Sequence, residues 1–268
     1  MHNEIYFPET PPAREADTVT SERAVSMFDR DGFLFLKNAF PRQLIQSLAA
    51  AFVDEYQSMS KSELRKRDAV VGDRRYMITI KIKKPFNDPA LYANPLLMPI
   101  LWGSLGGNVR LASFGAVVAW PGAEAQPVHL DHPPLFDSHD LCDALPPTAI
   151  TLVVPLVDVT LEMGPTAIWP GVRVDENHHD RFGPLEGTPD YESALQPTTE
   201  MGDAYMMDYR TIHGGMANDS DLVRPILYLV YSRPWFRDGF NFSKQPAVQI
   251  SKKQRKKIPQ QWQGLFQG

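Results

Sequence analysis

The 268-residue sequence predicts a mainly β protein with helical additions around a double-sheet jelly-roll core. Two observations predict this fold class. The 24 prolines and 17 glycines are spread throughout, which favours many turns and few long helices. The second half of the chain carries strand-like runs between Gly/Pro turns, with no alternation of strands and helices. These runs are 109–120, 149–157, 165–170, 200–208 and 224–232.

The chain is expected to divide into three parts. Residues 1–19 are polar and proline-rich, which predicts an N-terminal arm lying on the surface. Residues 20–250 would form a single domain, because 43% hydrophobic residues can supply one full core, with the jelly roll at about 109–235. Residues 251–268 would form a basic C-terminal tail, solvated or presenting an exposed helix face.

The first elements in chain order are scaffold. Thr20 and Ser21 offer N-caps for a helix to about Asp29. A buried strand is predicted over 33–36, and a second helix from Pro41 to about Tyr56, where apolar residues recur at helical spacing.

The next segments connect this scaffold to the strand-rich half. Residues 60–75 are charged and are predicted to form a loop, whereas 76–82 alternate at period two as a half-buried strand does. One or two short helices are expected within 91–105. The Pro-, Asp- and Gly-rich interruptions at 132–147 and 172–198 are predicted loops, the first a candidate lid and both expected to influence substrate choice.

Charge and composition exclude several classes of function. A net charge of −5 with a pI near 5.8 argues against a nucleic-acid surface, which needs clustered cations. The single cysteine, Cys142, excludes an internal disulfide and fits a reducing compartment. The sequence has no signal-peptide pattern and no apolar run near the ~18 residues of a membrane span. We therefore expect a soluble, cytoplasmic protein with no membrane partner.

The most informative stretch is Gln126-Pro127-Val128-His129-Leu130-Asp131. Side chains two apart share a face of an extended segment, so one imidazole nitrogen and one carboxylate oxygen would point the same way. His213, in Thr211-Ile212-His213-Gly214-Gly215, could add a second imidazole. Two histidines and one carboxylate occupy one face of a metal and leave other positions open, as in non-haem Fe(II) oxygenases.

The His-x-Asp or His-x-Glu pattern by itself is weak, because it occurs three times in the chain. The other copies are His2-Asn3-Glu4 and His178-His179-Asp180. Only the middle copy directly follows a strand-like run. Even there, an ordinary surface pair is the alternative interpretation of His129 and Asp131.

A second signal is Arg224, eleven residues after His213 and the first residue of the apolar run Arg224-Pro225-Ile226-Leu227-Tyr228. An arginine that enters a buried strand needs a partner for its charge. Its planar fork suits a carboxylate bidentately.

Taken together, these residues resemble the phytanoyl-CoA dioxygenase family of Fe(II)/2-oxoglutarate-dependent oxygenases over roughly residues 20–235. The order of the motifs and the step from His213 to Arg224 carry the resemblance. The motifs are Asp31-Gly32-Phe33-Leu34, His129-x-Asp131, Gly164-Pro165-Thr166 with Pro170-Gly171, Gly202-Asp203, His213-Gly214-Gly215 and Arg224.

The resemblance implies a double-stranded β-helix, the cupin-like form of the jelly roll, with a non-haem iron site. His129, Asp131 and His213 would be the catalytic metal ligands for Fe(II), which uses O2 together with the cosubstrate 2-oxoglutarate. Arg224 would bind the distal carboxylate of 2-oxoglutarate.

Further cosubstrate contacts follow from a branch of this family. Gln126 and Thr166 match positions found in the branch that contains fungal meroterpenoid and alkaloid oxygenases, and are expected to contact 2-oxoglutarate. An arginine before the barrel also helps there, for which Arg75 is the candidate and Arg74 the alternative.

The sequence departs from the family pattern at one turn, where Pro170-Gly171 continues with Val172-Arg173 instead of Ser-His. Asp131 is retained, which in this family favours oxygen chemistry over chlorination. We therefore predict oxidation of a small, fairly apolar molecule in specialised metabolism, by hydroxylation, desaturation or a related C–H oxidation. Whether the chain forms a homodimer stays open.

Two other functions compete with this prediction. One is a non-haem iron isomerase or oxygenase of the same fold that does not consume 2-oxoglutarate. The other is a jelly-roll protein that binds a metal or small molecule without catalysis. Six apolar residues are candidates for the substrate pocket, with membership of the core as the alternative: Met77, Ile80, Phe114, Trp120, Phe136 and Trp235.

Overall fold

The computed structural model describes residues 3–7, 18–67, 69–171, 193–242 and 244–267, which form ten strands in two sheets. The strands are β1 (Glu4–Tyr6), β2 (Phe33–Lys37), β3 (Val70–Gly72), β4 (Arg75–Thr79), β5 (Arg110–Ala119), β6 (Ala149–Pro155), β7 (Thr166–Ile168), β8 (Ala204–Asp208), β9 (His213–Gly215) and β10 (Arg224–Ser232).

Short helices surround these sheets in the described part of the chain. The α-helices are α1 (Thr18–Asp31), α2 (Arg42–Phe52), α3 (Lys61–Lys66), α4 (Pro89–Tyr92), α5 (Met98–Leu105), α6 (His139–Ala144) and α7 (Lys252–Arg255). A π-helical turn, Val53–Gln57, extends α2, and a 3-10 helix spans Gln260–Phe266. None of the described helices has the length and apolar character needed to cross a membrane.

The large sheet has the strand order β1-β2-β8-β6-β10-β5-β4-β3. Its neighbours pair antiparallel except β1 and β2, which are parallel. The small sheet pairs β7 with β9 and is extended by a bridge between His129 and His213. A large, mostly antiparallel sheet and a small antiparallel sheet with helical additions confirm the predicted mainly β, jelly-roll fold class.

The two faces of the large sheet have different environments. Because strand side chains alternate, Ile226, Tyr228 and Val230 of β10 face a cavity between the sheets. Leu227 and Leu229 face the opposite way, into the main core, where α1, α2 and α5 pack. The cavity therefore lies on the inner face of the sheet, against the small sheet.

The N-terminal residues differ from the predicted surface arm. Glu4–Tyr6 form β1, and Ile5 and Phe7 are buried in the main core. The amide of Phe35 donates to the carbonyl of Asn3 at 2.9 Å, and the amide of Phe7 donates to that of Lys37 at 3.0 Å. The alternation of Ile5 and Phe7 is a strand pattern too short to stand out in a proline-rich segment.

Residues 60–75, predicted as a loop, contain α3, β3 and the start of β4. A capping box starts α3: the Glu63 amide donates to Ser60 Oγ at 3.3 Å, and the Ser60 amide donates to Glu63 Oε2 at 2.9 Å. Only Leu64 of this helix is buried, so the charged composition concealed it.

The C-terminal residues combine an exposed and a buried part. No residue of the basic helix α7 is buried, as an exposed helix face requires. Ile258, Leu265 and Phe266, however, join the main core, and the Phe266 ring meets Tyr92 edge-on with centroids 5.1 Å apart. The end of the predicted tail is thus packed against the domain.

Candidate active site

Three side chains that were predicted as metal ligands converge at one point. One potential ligand atom each of His129, Asp131 and His213 lies within 4.8 Å of those of the other two. The backbone brings the two histidines together: the His129 amide donates to the His213 carbonyl at 2.8 Å, and the His213 amide returns a bond of 3.1 Å. Their imidazole centroids are 4.5 Å apart.

Hydrogen bonds fix which nitrogen each histidine offers. His129 Nδ1 lies 2.7 Å from the Pro127 carbonyl oxygen, and His213 Nδ1 lies 3.0 Å from that of Thr211. A carbonyl oxygen only accepts, so both Nδ1 atoms carry the hydrogen and donate. Both Nε2 lone pairs are left for a metal, and His213 Nε2 is 3.6 Å from Asp131 Oδ1.

Two residues that the sequence did not reveal hold Asp131 in place. Thr151 Oγ1, on β6, donates to Asp131 Oδ2 at 2.9 Å. Asn241 Nδ2 donates to the Asp131 backbone carbonyl at 2.8 Å and to Asp238 Oδ2 at 2.8 Å. Oδ1 is thereby directed toward His213. Thr151 is the one polar residue of a strand otherwise apolar, a signal too common to single it out.

Burial keeps His129 neutral. Burial, and to a smaller extent the neighbouring His213, lower the pKa of His129 from 6.5 to about 4, although Asp131 opposes the shift. Neutral imidazole is the form that binds metals, so this histidine is ready to coordinate at neutral pH.

Arg224, the predicted carboxylate ligand, begins β10 and is 1% exposed. None of the described residues accepts a hydrogen bond from its guanidinium, and the buried Nε has no partner. Burial lowers the pKa of Arg224 to about 10, while Tyr205 beside it opposes that shift. A buried cation without a counter-charge next to a cavity is a site for an anion.

Arg75 provides a second buried cation and is fully buried on β4. Its Nη2 donates to the carbonyls of Glu124 at 3.0 Å and Met216 at 2.8 Å, whereas Nε and Nη1 have no partner. Burial, together with the charge of Arg224, lowers the pKa of Arg75 to about 9.

The alternative candidate, Arg74, points outward. Its backbone has a positive φ of 49°, its side chain is 56% exposed, and its Nη1 donates to the Pro121 carbonyl at 2.9 Å. Of the two adjacent arginines, only Arg75 lies beside Arg224.

Gln126 and Thr166, the predicted cosubstrate contacts, both line the cavity. Gln126 Oε1 accepts from the Gly215 amide at 3.2 Å, and Thr166 Oγ1 is 2.8 Å from the Tyr205 hydroxyl. A Cβ on Gly215 would lie 2.6 Å from Gln126 Oε1 and 2.7 Å from Arg75 Nη1. Only glycine leaves room here for both side chains.

The cavity that joins these groups has a volume of about 360 Å³. The possible metal ligands His129, Asp131 and His213 line this cavity together with the cationic Arg224. Apolar and aromatic side chains form most of the remainder: Val71, Met77, Val117, Leu130, Val153, Met207, Tyr209, Ile226, Tyr228, Val230 and Phe242.

Of the six apolar residues considered for this pocket, Met77 lines it and the other five do not. Ile80 and Phe114 belong to the main core on the other side of the sheet, and Trp120 packs against that core. Phe136 and Trp235 are largely exposed. The alternation of side chains along each strand decides which apolar residues face the cavity and which face the main core, and hydrophobicity alone does not reveal this.

Other predicted features lie partly outside the described residues. His2 and the copy at 178–180 are not described, and neither is 172–192 of the second long interruption. The first interruption, 132–147, was predicted as a loop but contains α6. At its start the His132 ring contacts Phe236 and Phe240, with centroids 5.0 Å away in each case, so His132 packs apart from the group of His129, Asp131 and His213.

The residues fit a divalent transition metal and an organic anion. Two imidazole nitrogens and one carboxylate oxygen are the facial donor set that leaves coordination positions open toward a cavity. The unpaired guanidinium of Arg224 at the same cavity supplies a matching site for a carboxylate.

Comparison with known proteins shows which proteins this chain is similar to. Dioxygenase trt7 of Aspergillus terreus is 24% identical over 211 residues, which are 77% of this chain and 71% of trt7. The structure of EvdMO1 matches with a TM-score of 0.56 and 21% identity over 80% of this chain, which spans only half the length of EvdMO1.

A third similar protein is the epimerase SnoN, solved with Fe3+, alpha ketoglutarate and nogalamycin RO. It matches with a TM-score of 0.60 and 16% identity, over 89% of this chain and 98% of SnoN. At such identities these structures show the shared fold.

The family profile of phytanoyl-CoA dioxygenase (PhyH) matches residues 28–226, which is most of the chain. This match confirms the predicted resemblance and the predicted enzyme class, a dioxygenase. The chain belongs to the phytanoyl-CoA dioxygenase (PhyH) family.

Proposed function

We propose that the protein is an Fe(II)/2-oxoglutarate-dependent dioxygenase that oxidises a C–H bond of a small, fairly apolar molecule in specialised metabolism. One observation carries the proposal: a two-histidine, one-carboxylate donor set shares a cavity with the buried and unpaired Arg224. A metal site alone would need no such cation. A cosubstrate that chelates the metal at one end and carries a carboxylate at the other accounts for both.

His129 and His213 would hold iron through Nε2, and Asp131 through Oδ1. Bound Fe(II) and 2-oxoglutarate supply the oxidising power, because O2 is reduced as the 2-oxo acid is decarboxylated to succinate. The protein's own contribution is to orient both imidazoles through the carbonyls of Pro127 and Thr211, so that each ring offers its Nε2.

Arg224 would bind the distal carboxylate of 2-oxoglutarate. A charge-assisted bond formed away from water is strong, and it would remove the desolvation cost that lowers the pKa of this arginine. Thr166, bonded to Tyr205 beside Arg224, and Gln126, bonded to Gly215, are the proposed polar contacts along the cosubstrate. Arg75 would add positive potential from behind Gly215.

The remaining lining supports an apolar substrate. Among the described lining residues, the only charged side chains are Asp131 and Arg224, both assigned to the metal and cosubstrate. The apolar walls would hold a C–H bond near the metal and exclude water from it. The similar protein SnoN, from nogalamycin biosynthesis, is consistent with a small-molecule substrate in specialised metabolism.

Anaerobic titration tests this proposal. Protein loaded with Fe(II) is titrated with 2-oxoglutarate while the weak visible charge-transfer band of an iron–2-oxo acid chelate is recorded. We expect the band in the wild type, its loss in His213→Ala, and weaker cosubstrate binding in Arg224→Ala. Arg74→Ala, which removes an outward-pointing arginine, should behave as the wild type does.

Two results would contradict the proposal. Iron binding without a band would favour the alternative enzyme of the same fold that does not consume 2-oxoglutarate. Failure to bind iron would exclude the metal assignment itself.

A further inference from the structure

We infer that Thr151 is a positioning residue: its hydroxyl holds Asp131 to a single metal-binding oxygen and so preserves the coordination positions that the cosubstrate needs. This inference rests on the proposed function. It concerns a residue outside the predicted ligands, and it follows from how the two carboxylate oxygens are used.

The two oxygens of Asp131 have separate partners. Oδ2 accepts from Thr151 Oγ1 at 2.9 Å, and Oδ1 lies 3.6 Å from His213 Nε2, on the side of the donor set. A deprotonated carboxylate only accepts hydrogen bonds, so the threonine hydroxyl is the donor and the bond is charge-assisted. One oxygen is thus engaged by the protein, and the other is free for a metal.

Thr151 is itself held rigidly. It lies near the middle of β6, with β10 paired on one side and β8 on the other, and it is buried. The Asp131 backbone is fixed independently by Asn241, which donates to its carbonyl at 2.8 Å. With its backbone fixed, the carboxylate can turn only about its own side-chain bonds, and the bond to Thr151 opposes that rotation.

Counting coordination positions shows why this restraint matters. An octahedral metal ion held here would have six positions, of which His129, His213 and one oxygen of Asp131 would fill three. A chelating 2-oxo acid would need two more. A second oxygen from Asp131 would occupy a position that the cosubstrate or O2 requires.

Thr151→Val tests the inference, because valine keeps the branched shape and removes only the hydroxyl. Affinities for Co(II) and then, on the Co(II)-loaded protein, for 2-oxoglutarate are measured separately by calorimetry. We expect 2-oxoglutarate affinity to fall about tenfold, at the low end of the effect of removing such outer contacts. The affinity for Co(II) should fall less than the affinity for 2-oxoglutarate, because the second oxygen of Asp131 could then also bind the metal and offset the lost orientation. Thr151→Ser, which retains the hydroxyl, should restore 2-oxoglutarate binding.

Thr199→Val is the matched control. Thr199 is also buried, and its hydroxyl has no partner among the described residues. It does not line the cavity, so this variant should bind both ligands as the wild type does.

The outcomes separate positioning from a merely structural role. Unchanged 2-oxoglutarate affinity in Thr151→Val, or an equal loss of metal and cosubstrate affinity that serine does not restore, would overturn the inference. If the wild type binds neither Co(II) nor 2-oxoglutarate, the proposed function fails as well. If the wild type binds both and Thr151→Val matches it, only the role of Thr151 is wrong.

Discussion

Arg75 and Arg224 both pair with Ala119, one strand on each side, so two buried guanidinium groups lie on the same face of the large sheet. Among the described residues, no carboxylate forms an ion pair with either arginine. Only the small side chain of Ala119 stands between them in this row. The fold therefore places two cations in its interior that an anionic ligand would stabilise.

Arg224→Met is expected to stabilise the ligand-free protein and to abolish cosubstrate binding. Removing a buried charge that has no partner should raise the free energy of unfolding by about 1–3 kcal/mol. Affinity for 2-oxoglutarate should fall at least about 100-fold, since two charge-assisted bonds are lost. Urea denaturation without ligand and calorimetric titration measure the two effects. A less stable variant would show that this arginine has a structural partner.

Arg75→Met is expected to destabilise the protein, in contrast to Arg224→Met. The carbonyls of Glu124 and Met216 would lose their donor, which costs about 1–3 kcal/mol when such groups are buried. The exposed Arg74→Met should change unfolding free energy by less than about 0.5 kcal/mol. Urea denaturation of both variants measures this difference. A similar loss of unfolding free energy in Arg75→Met and Arg74→Met would refute the inward placement of Arg75.

Gly215→Ala should damage the cosubstrate end of the cavity. The new methyl group would meet Gln126 Oε1 and Arg75 Nη1 at less than 3 Å, so both side chains must move. We expect a loss of about 1–3 kcal/mol in stability and weaker 2-oxoglutarate binding. Gly107→Ala is the control, because a methyl group there meets nothing within 4 Å. Wild-type affinity in Gly215→Ala would mean that this contact does not shape the site.

Stability of the metal-free protein should fall as pH drops from 6.5 toward 4. The pKa of His129 is lowered from 6.5 to about 4 by burial, so the unfolded chain binds more protons than the folded chain between these values. Stability therefore rises with pH across this window, by up to about 1.4 kcal/mol per pH unit for one proton. Urea denaturation at several pH values measures the slope, which His129→Gln should reduce. An unchanged slope in this variant would assign the effect to other groups.

The convergence of His129, Asp131 and His213 could be predicted because their chemistry is visible in the chain. A histidine and an aspartate two residues apart, a distant histidine beside two glycines, and an arginine opening an apolar strand are uncommon features in combination. The strand over 224–232 was also predicted with its observed bounds, since the apolar and aromatic run from Ile226 to Tyr231 is a clear strand signal.

Residues that position another side chain of the site by a hydrogen bond could not be predicted from the sequence. Thr151 is an ordinary β-branched residue in an apolar strand, and only the fold brings it to Asp131 across 20 positions of sequence. Asn241 lies 110 residues from the same aspartate. Similarly, the choice between Arg74 and Arg75 depends on the positive φ of Arg74, which the residue types alone do not determine.

The prediction of secondary structure failed where the run of buried apolar residues is short. Strand β1 spans three residues, and helix α3 buries one leucine, so neither shows a periodic pattern. The spacing of Ser60 and Glu63 could have indicated that helix, because a serine three residues before a glutamate is a known start signal. In the structure the two residues do form the hydrogen bonds of a capping box.

The donor set and the anion site belong to different sheets. His213 begins a strand of the small sheet and is bridged to His129, whereas Arg224 begins a central strand of the large one. A molecule bound at both ends would span the cavity and link the small sheet to the large one. Cosubstrate binding would then also restrict the motion of the two sheets relative to each other before any substrate reacts between them.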